Sequence, residues 1–451
     1  MWLWLLALTA SAGDISGGGR VESHLRLGLD ECLSDGGDCG FLDFADTLVV
    51  GGKGQVIVGP KVRVDLEGDL RLHAPGELAL IEDLSTPAGL PTSTRIHRAV
   101  VELSEVGAKS IDLSIGAQKV MWGVSEKLHV ANPVSPRNLE NPLAFDSRLA
   151  VPSAVSRIRS DRLELQLVVQ PLFTPAVLPR HGLQVEPPRA DVLADDTFAS
   201  DLTGDVETRI TVPGPTASNM AGGARLWWAS PVADVAISGA IGRDSLPQGD
   251  GDVVLTGFQT AARRVDVAVP LVFPRVGQAA VELRAPLWAD VAGWAEVAVV
   301  IPSRTTLAFS RAQLQDLQRL GAIDSVPDPV PEVVTQDGQP YVRAIVGLER
   351  SFGPVTLTGQ WLHGLPLERK AGELSELGAL FIAFSASDRT RIDLRGLSDL
   401  DGALIAGGIT TLHGDAVELS IGGAWAGGSE DSALDVYRGS TQVQLGTVVH
   451  F

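Results

Sequence analysis

Gln55-Val-Ile-Val-Gly-Pro-Lys-Val-Arg-Val-Asp-Leu-Glu-Gly-Asp-Leu-Arg-Leu-His73 is the stretch that decides the fold. Its even positions carry Val56, Val58, Val62, Val64, Leu66, Leu70 and Leu72, and its odd positions carry Lys61, Arg63, Asp65, Glu67, Asp69, Arg71 and His73. Side chains of an extended strand point to opposite faces in turn, so this segment has one apolar face and one charged face. A helical period of 3.6 would mix the two sets. Glu67-Gly68-Asp69 reads as a turn inside the run.

The same period recurs along the chain. Val21, Leu25, Leu27 and Leu29 oppose Arg20, Glu22, His24, Arg26 and Asp30. Ile111, Leu113 and Ile115 oppose Asp112, Ser114, Gly116 and Gln118, and Leu163, Leu165, Leu167 and Val169 oppose Arg162, Glu164, Gln166 and Gln170. Val417, Leu419 and Ile421 oppose Glu418, Ser420 and Gly422, and the terminal run sets Val443, Leu445, Val449 and Phe451 against Gln442, Gln444, Gly446 and His450. Tight connections are read at 67–69, 105–109, 160–161, 231–234, 351–354, 387–388 and 413–415. Long ones are read over 31–53, 82–94, 123–150, 173–221, 243–276, 302–340, 363–375 and 427–436. With the last strand running inward to the periplasm, every tight connection falls on one side. These features predict an all-β, antiparallel, up-and-down transmembrane β-barrel of about 18 strands, within a range of roughly 16 to 20. Val253 to Phe273 reads equally as a hairpin, a long strand or a loop. Leu314, Leu317 and Leu320 predict a short helix over 310–320.

Forty-nine glycines and 27 prolines in 451 residues supply the turns such a chain needs. Thirty-six cationic against 55 acidic side chains leave a net charge of −19, which argues against a nucleic-acid partner. Residues 1–12 are apolar and close in Ala10-Ser11-Ala12, so they read as a signal peptide cleaved after Ala12, with the barrel occupying 13–451. No later stretch approaches the roughly 18 to 20 apolar residues of a spanning helix, so any membrane crossing must be made by strands. Cys32 and Cys39 are the only cysteines and are expected to pin a loop by a local disulfide. Trp227, Trp228, Trp294, Trp361 and Trp425 lie at or near strand ends, either in an interfacial girdle or as ordinary packing aromatics.

The charged strand faces give the candidates for lining or narrowing a pore: Arg26, Arg63, Asp65, Glu67, Arg71, Gln118 and Glu164. Arg137 joins them from the proline-stiffened loop Asn132–Asn138, facing Asp65 or Glu67 if that loop folds inward. The other reading of that loop is a rigid outer loop. The acidic run from Glu186 to Glu207 reads as a solvated loop rather than a calcium site, because it lacks the regular spacing. The glycine patches at 16–19 and 426–429 are followed by no phosphate-binding lysine, and the eight histidines show no zinc spacing. No Gly-x-Ser-x-Gly elbow is present. No enzyme activity, cofactor or metal is expected.

The ending Val443-Gln-Leu-Gly-Thr-Val-Val-His-Phe451 resembles the signal by which outer-membrane barrels engage the barrel-assembly machinery. A second resemblance spans most of the chain. Gly116-Ala-Gln-Lys-Val-Met-Trp-Gly123, Asn132-Pro133, Pro136-Arg137-Asn138, Leu149-Ala-Val-Pro152 and Pro171-Leu-Phe-Thr-Pro-Ala-Val-Leu-Pro179 resemble a porin-like bacterial outer-membrane β-barrel family of largely unassigned function. Val346-Gly-Leu-Glu-Arg-Ser-Phe-Gly353 and Gln360-Trp-Leu-His-Gly364 are similar to that family's paired strands. Ala117 stands where the family has arginine, so that residue's role does not carry over.

The resemblance implies an outer-membrane location in a Gram-negative cell, contact with outer-membrane lipid, passage of solutes, and, for some relatives, an export pump as neighbour. The expected function is a pore for small solutes through a charged lumen, acting alone or as a homo-oligomer. The alternative is a plugged structural or ligand-binding barrel using its outer loops. Behind these stand a barrel hydrolase and a secreted soluble β protein.

Overall fold

The computed structural model of the chain describes residues 13–28, 43–58, 60–73, 92–125, 127–138, 147–177, 206–259, 264–288, 290–321, 323, 325–326, 328–330, 332–365, 368–370, 372, 374–429, 432–434 and 441–451. The signal-peptide reading of 1–12, the Cys32–Cys39 pair and the acidic run up to Asp205 lie outside the described residues. In chain order the strands are β1 (Gly13–Gly28), β2 (Asp43–Val58), β3 (Val62–His73), β4 (Thr92–Leu103), β5 (Ile111–Gln118), β6 (Val151–Arg159), β7 (Leu163–Gln170) and β8 (Val206–Thr211). Then follow β9 (Ala221–Ala229), β10 (Asp234–Arg243), β11 (Gln248–Gly249), β12 (Gly251–Gln259), β13 (Arg264–Val272), β14 (Arg275–Trp288), β15 (Val291–Pro302) and β16 (Thr305–Phe309). The last are β17 (Glu332–Gln336), β18 (Tyr341–Phe352), β19 (Val355–His363), β20 (Glu376–Ser387), β21 (Thr390–Ser398), β22 (Gly402–His413), β23 (Val417–Gly428) and β24 (Gln442–His450).

Eighteen of these strands form one antiparallel sheet, each pairing with the next along the chain apart from β8, β11–β13, β16 and β17. The sheet closes on itself, because β1 pairs with β2 along its whole length and with β24 from Arg20↔His450 to Gly28↔Gln442. Phe451 extends that seam: its amide donates to the Gly19 carbonyl at 3.0 Å, and the Gly19 amide donates to the Phe451 carbonyl at 2.7 Å. Closure removes the unpaired sheet edges that an open array would expose.

The expected turn at Gly68 is corrected. The chain reverses between Val58 and Val62, which pair with each other, while Gly68 lies within β3 opposite Ile96, at a register shift between β3 and β4. A bulge admits an extra residue and is a frequent site for glycine in a strand. Residues 43–53, expected in a long connection, belong to β2. The other tight connections fall on one rim, joined there by the two-residue link at 289–290. The opposite rim carries the long connections and one short one, 399–401.

Around the wall the outward face is apolar and exposed, with Val50, Leu66, Val101, Ile115, Leu167, Ile237, Val297, Leu380, Leu394, Ile421 and Leu445 on it. Trp228, Trp288, Phe352 and Phe451 are exposed near the tight-turn rim, and Trp361 and Trp425 near the other. Trp227 and Trp294 are not part of any outer girdle. Trp227 shares the inner face with Glu164, and Trp294 is 3% exposed on the inner face, against Gly347.

Val253 to Phe273 resolves as a hairpin, β12 with β13, outside the wall. It joins β8, β11, β16 and β17 in a six-stranded sheet built from the long connections, with parallel pairs β8–β13 and β12–β16. The expected helix forms as α1 (Arg311–Arg319), started by a capping box between Ser310 and Gln313. Its Leu314 and Leu317 pack with Val253, Val267, Leu271, Leu307 and Phe309, whereas Leu320 is exposed beyond the helix end.

Candidate functional site: a strap inside the barrel

Residues 119–125, 127–138 and 147–150, between β5 and β6, turn into the lumen instead of standing above it. Trp122 is fully buried, and Val120, Leu128, Val130, Ala131, Asn132 and Ser135 are buried with it. The strap is held by acids on the inner wall. Glu296 of β15 is fully buried; its Oε1 accepts the amides of Val124 at 2.8 Å and Ser125 at 2.7 Å and lies 3.2 Å from His129 Nδ1. Its Oε2 accepts the amides of Val130 at 2.9 Å and Ala131 at 3.1 Å. Glu282 of β14, also fully buried, accepts the Gly123 amide at 3.1 Å and Arg225 Nε and Nη2 at 3.0 and 2.6 Å. A buried carboxylate is tolerated only when such donors replace its water shell.

Further ties come from around the wall. Trp122 Nε1 donates to Gln166 Oε1 at 2.6 Å, Gln278 Nε2 donates to the Val130 carbonyl at 2.9 Å, and Gln360 Nε2 donates to Ser125 Oγ at 2.5 Å. Leu128, Val130 and Ala131 then join an apolar cluster with Ile345, Leu362, Leu377, Phe381, Leu397 and Leu404 of the inner wall. The strap thus packs against the inner wall in the half of the barrel nearest the long connections.

Gly123 lets the strap turn. Its φ is +107°, and a Cβ there would come within 2.4 Å of His129 Nδ1 and 2.8 Å of Glu296 Oε1. Non-glycine residues held in such backbone regions cost about 1–3 kcal/mol. Gly123→Ala is accordingly expected to loosen the strap, seen as faster protease cleavage within 119–150. Cleavage at the parental rate would contradict the close approach.

The charged candidates lie mainly on the opposite wall. Arg63, Asp65, Glu67 and Arg71 share the inner face of β3 and join a network across β1–β4. Asp65 is bonded to Arg63, Arg98 and Gln55, Arg63 also meets Glu102 at 2.9 Å, and Glu67 meets Arg20 at 3.4 Å. Asp69 lies 2.9 Å from His97 Nε2, 3.6 Å from Arg71 and 3.9 Å from Arg20. Both signs alternate across neighbouring strands, which gives a transverse pairing rather than a field of one sign.

The remaining candidates are dispersed. Arg26 sits on β1 opposite Ala45 and Gln444. Gln118 is buried, accepting from Ser114 Oγ at 3.0 Å and donating to the Ser153 carbonyl at 3.4 Å. Glu164 sits near the tight-turn rim with Arg159 at 2.9 Å, and Asp112 shares that arginine at 2.7 Å. Arg137 lies on the strap. It donates to the His129 carbonyl at 2.8 Å and borders a cavity with Arg148, Arg243, Arg343 and Arg369. Sequence reasoning passed over Glu282 and Glu296. Their signal was a lone acid in each of two strands otherwise poor in charge, Ala279-Ala-Val-Glu282 and Ala295-Glu-Val-Ala298.

No protein-family model matches the sequence, and no curated protein matches it. Among solved structures the chain is similar to Acinetobacter baumannii OccAB1, at 10% identity and TM-score 0.49, covering 97% of this chain and 96% of that one. It is likewise similar to Acinetobacter baumannii OccAB3, at 9% identity and TM-score 0.47, over 97% and 99% of the two chains. Salmonella typhi OmpF, solved in complex with daunomycin, is similar at 12% identity and TM-score 0.40, over 97% of each chain.

Proposed function

We propose that the chain is an outer-membrane barrel that passes small solutes through a lumen narrowed by the strap, with no catalytic step. The observation that carries this reading is the opposition of faces on one closed wall. Leu66 and Val50 look outward and exposed, while Asp65, Glu67 and Asp69 look inward and paired. A closed sheet with an apolar exterior satisfies every ladder hydrogen bond and suits a hydrocarbon surround, and exposed tryptophans at both rims suit its interfaces. Phe451 at the seam is read as the feature that the barrel-assembly machinery engages.

The apolar cluster around Leu128 and Ile345 supports a second reading, a barrel plugged by its strap that binds ligand without passing it. Planar-bilayer recording of the purified protein separates the two: discrete conductance steps are expected of the pore, and their absence favours the plug. Recovery in the soluble fraction, with no heat-modifiable migration on detergent gels, would sink both.

A unit charge a few Å from a permeating ion in a wet lumen is worth about 1 kcal/mol. Asp65→Asn, which leaves Arg63 and Arg98 in place, is thus expected to shift the cation-to-anion permeability ratio towards anions by up to about fivefold. The reversal potential in a salt gradient reads this directly. An unchanged value would remove the β1–β4 wall from the solute path.

A further inference from the structure

Between the strap and the wall lies a cavity of about 600 Å³, partly continuous with solvent. Pro133 and Val134 of the strap border it on one side, and Val151 and Val276 border it near the starts of β6 and β14. Where β9 and β10 face it, the wall presents the small residues Ala221, Ala240 and Gly242. The strands stay paired behind it, with Ala240 opposite both Gly223 and Gln278, so the space comes from short side chains and not from a gap in the wall.

Phe173, just beyond β7, adds an aromatic surface. It is backed by the fully buried Phe273, with ring centroids 4.7 Å apart. A ring held from behind offers a fixed apolar face or edge to another ring.

Two side-chain amides bring polarity to this lining. Gln170 Nε2 donates to the Val134 carbonyl at 2.9 Å, and Gln278 Nε2 donates to the Val130 carbonyl at 2.9 Å. A carbonyl partner fixes which end of each amide is nitrogen, so the Oε1 atoms are acceptors. Gln170 is 8% exposed, and no donor among the described residues reaches its Oε1. A shielded acceptor in that state is matched by a ligand that brings an O–H or N–H.

Charge plays little part in the lining. Arg243 is the one ionisable residue among the described residues that border this cavity, and its Nε and Nη1 donate to Asn219 Oδ1 at 2.8 Å and to the Phe273 carbonyl at 2.6 Å.

We infer that this cavity binds a small uncharged phenol, its ring against Phe173 and Val134 and its hydroxyl donating to Gln170 Oε1. An aromatic carboxylate would meet that acceptor with no proton to give, and an aromatic cation would be repelled by Arg243. The inference rests on the reading of the lumen as a solute path for its purpose, but binding itself needs no conduction.

The test is calorimetric titration of the folded, full-length protein in detergent, against the same detergent without protein. The probes are p-cresol, p-methylanisole, benzoate and benzamidine. Saturable binding of p-cresol at one site per chain is expected. Having no donor, p-methylanisole should bind at least about fivefold more weakly, and benzoate and benzamidine at least about tenfold more weakly. Val276→Trp, which fills the cavity, should weaken p-cresol by about tenfold or more, whereas Ile237→Trp, on the exposed outward face of β10, should leave it unchanged.

Absence of saturable p-cresol binding would overturn the inference, as would any of the other three probes binding as tightly. Unchanged binding in Val276→Trp, or loss of binding in folded Ile237→Trp, would overturn it too. The probe series uses the unaltered protein, so a variant that fails to fold does not shield the inference. Conductance steps without p-cresol binding would sink the phenol site and leave the pore. Binding without conductance would do the reverse.

Discussion

Glu296→Gln is expected to release the strap, opening the segment 119–150 to protease and enlarging the single-channel conductance. One carboxylate accepts four strap amides, at Val124, Ser125, Val130 and Ala131, while fully shielded from water. Glutamine has nearly the same shape, but its amide nitrogen is a donor and faces two of those donors. Hydrogen bonds to a charged acceptor contribute about 1.5–3 kcal/mol each, and a buried donor left without a partner costs about 1–3 kcal/mol. The expected loss of strap docking is therefore about 3–5 kcal/mol, within the range for breaking a buried charged contact. Glu349→Gln is the control, since Glu349 is an interior carboxylate bonded to Thr358 on the neighbouring strand. If both variants show the parental cleavage pattern and conductance, Glu296 does not hold the strap.

Arg225→Met is expected to be as damaging, for a different reason. Arg225 gives Glu282 two hydrogen bonds, and with the arginine gone a fully buried carboxylate keeps the Gly123 amide at 3.1 Å as its remaining named donor. Removing one partner of a buried ion pair typically costs about 3–5 kcal/mol, because the other charge stays behind. The double variant Arg225→Met, Glu282→Met removes both charges and leaves one strap amide unbonded, at about 1–3 kcal/mol. The single variant should therefore convert to the unfolded band at a lower temperature than the double on a heat-modifiability gel. A double variant less stable than the single would mean that Glu282 matters for the strap more than for its arginine.

The wall was legible because the barrel imposes a strict rule: neighbours in sequence face different solvents. Asp65 next to Leu66 states that rule in two residues. The same rule hid the first turn. Three residues separate Val58 from Val62, so the two keep one parity and the alternation runs through the reversal unbroken. The Glu-Gly-Asp triplet then drew the turn to Gly68, where glycine serves a bulge. Adjacent Trp227 and Trp228 must take opposite faces, and nothing local says which faces the lumen. The strap was harder still. The loop's prolines and Arg137 marked it as rigid, but its anchors at Glu282, Glu296 and Gln360 lie far along the chain. A pattern of period 2 reports a face, not a distant partner.

The seam between Gly19 and Phe451 sets an order of events in folding. The ring's closing pair joins β1 to β24, strands more than 400 residues apart, so until that pair forms the wall has two raw edges. Contacts of that sequence span are the slowest to form, and exposed edges invite wrong partners meanwhile. Linking β24 to β1 and opening the chain between β14 and β15 would keep every strand pair but move the seam there, making the place of last closure a matter of connectivity rather than of the wall itself.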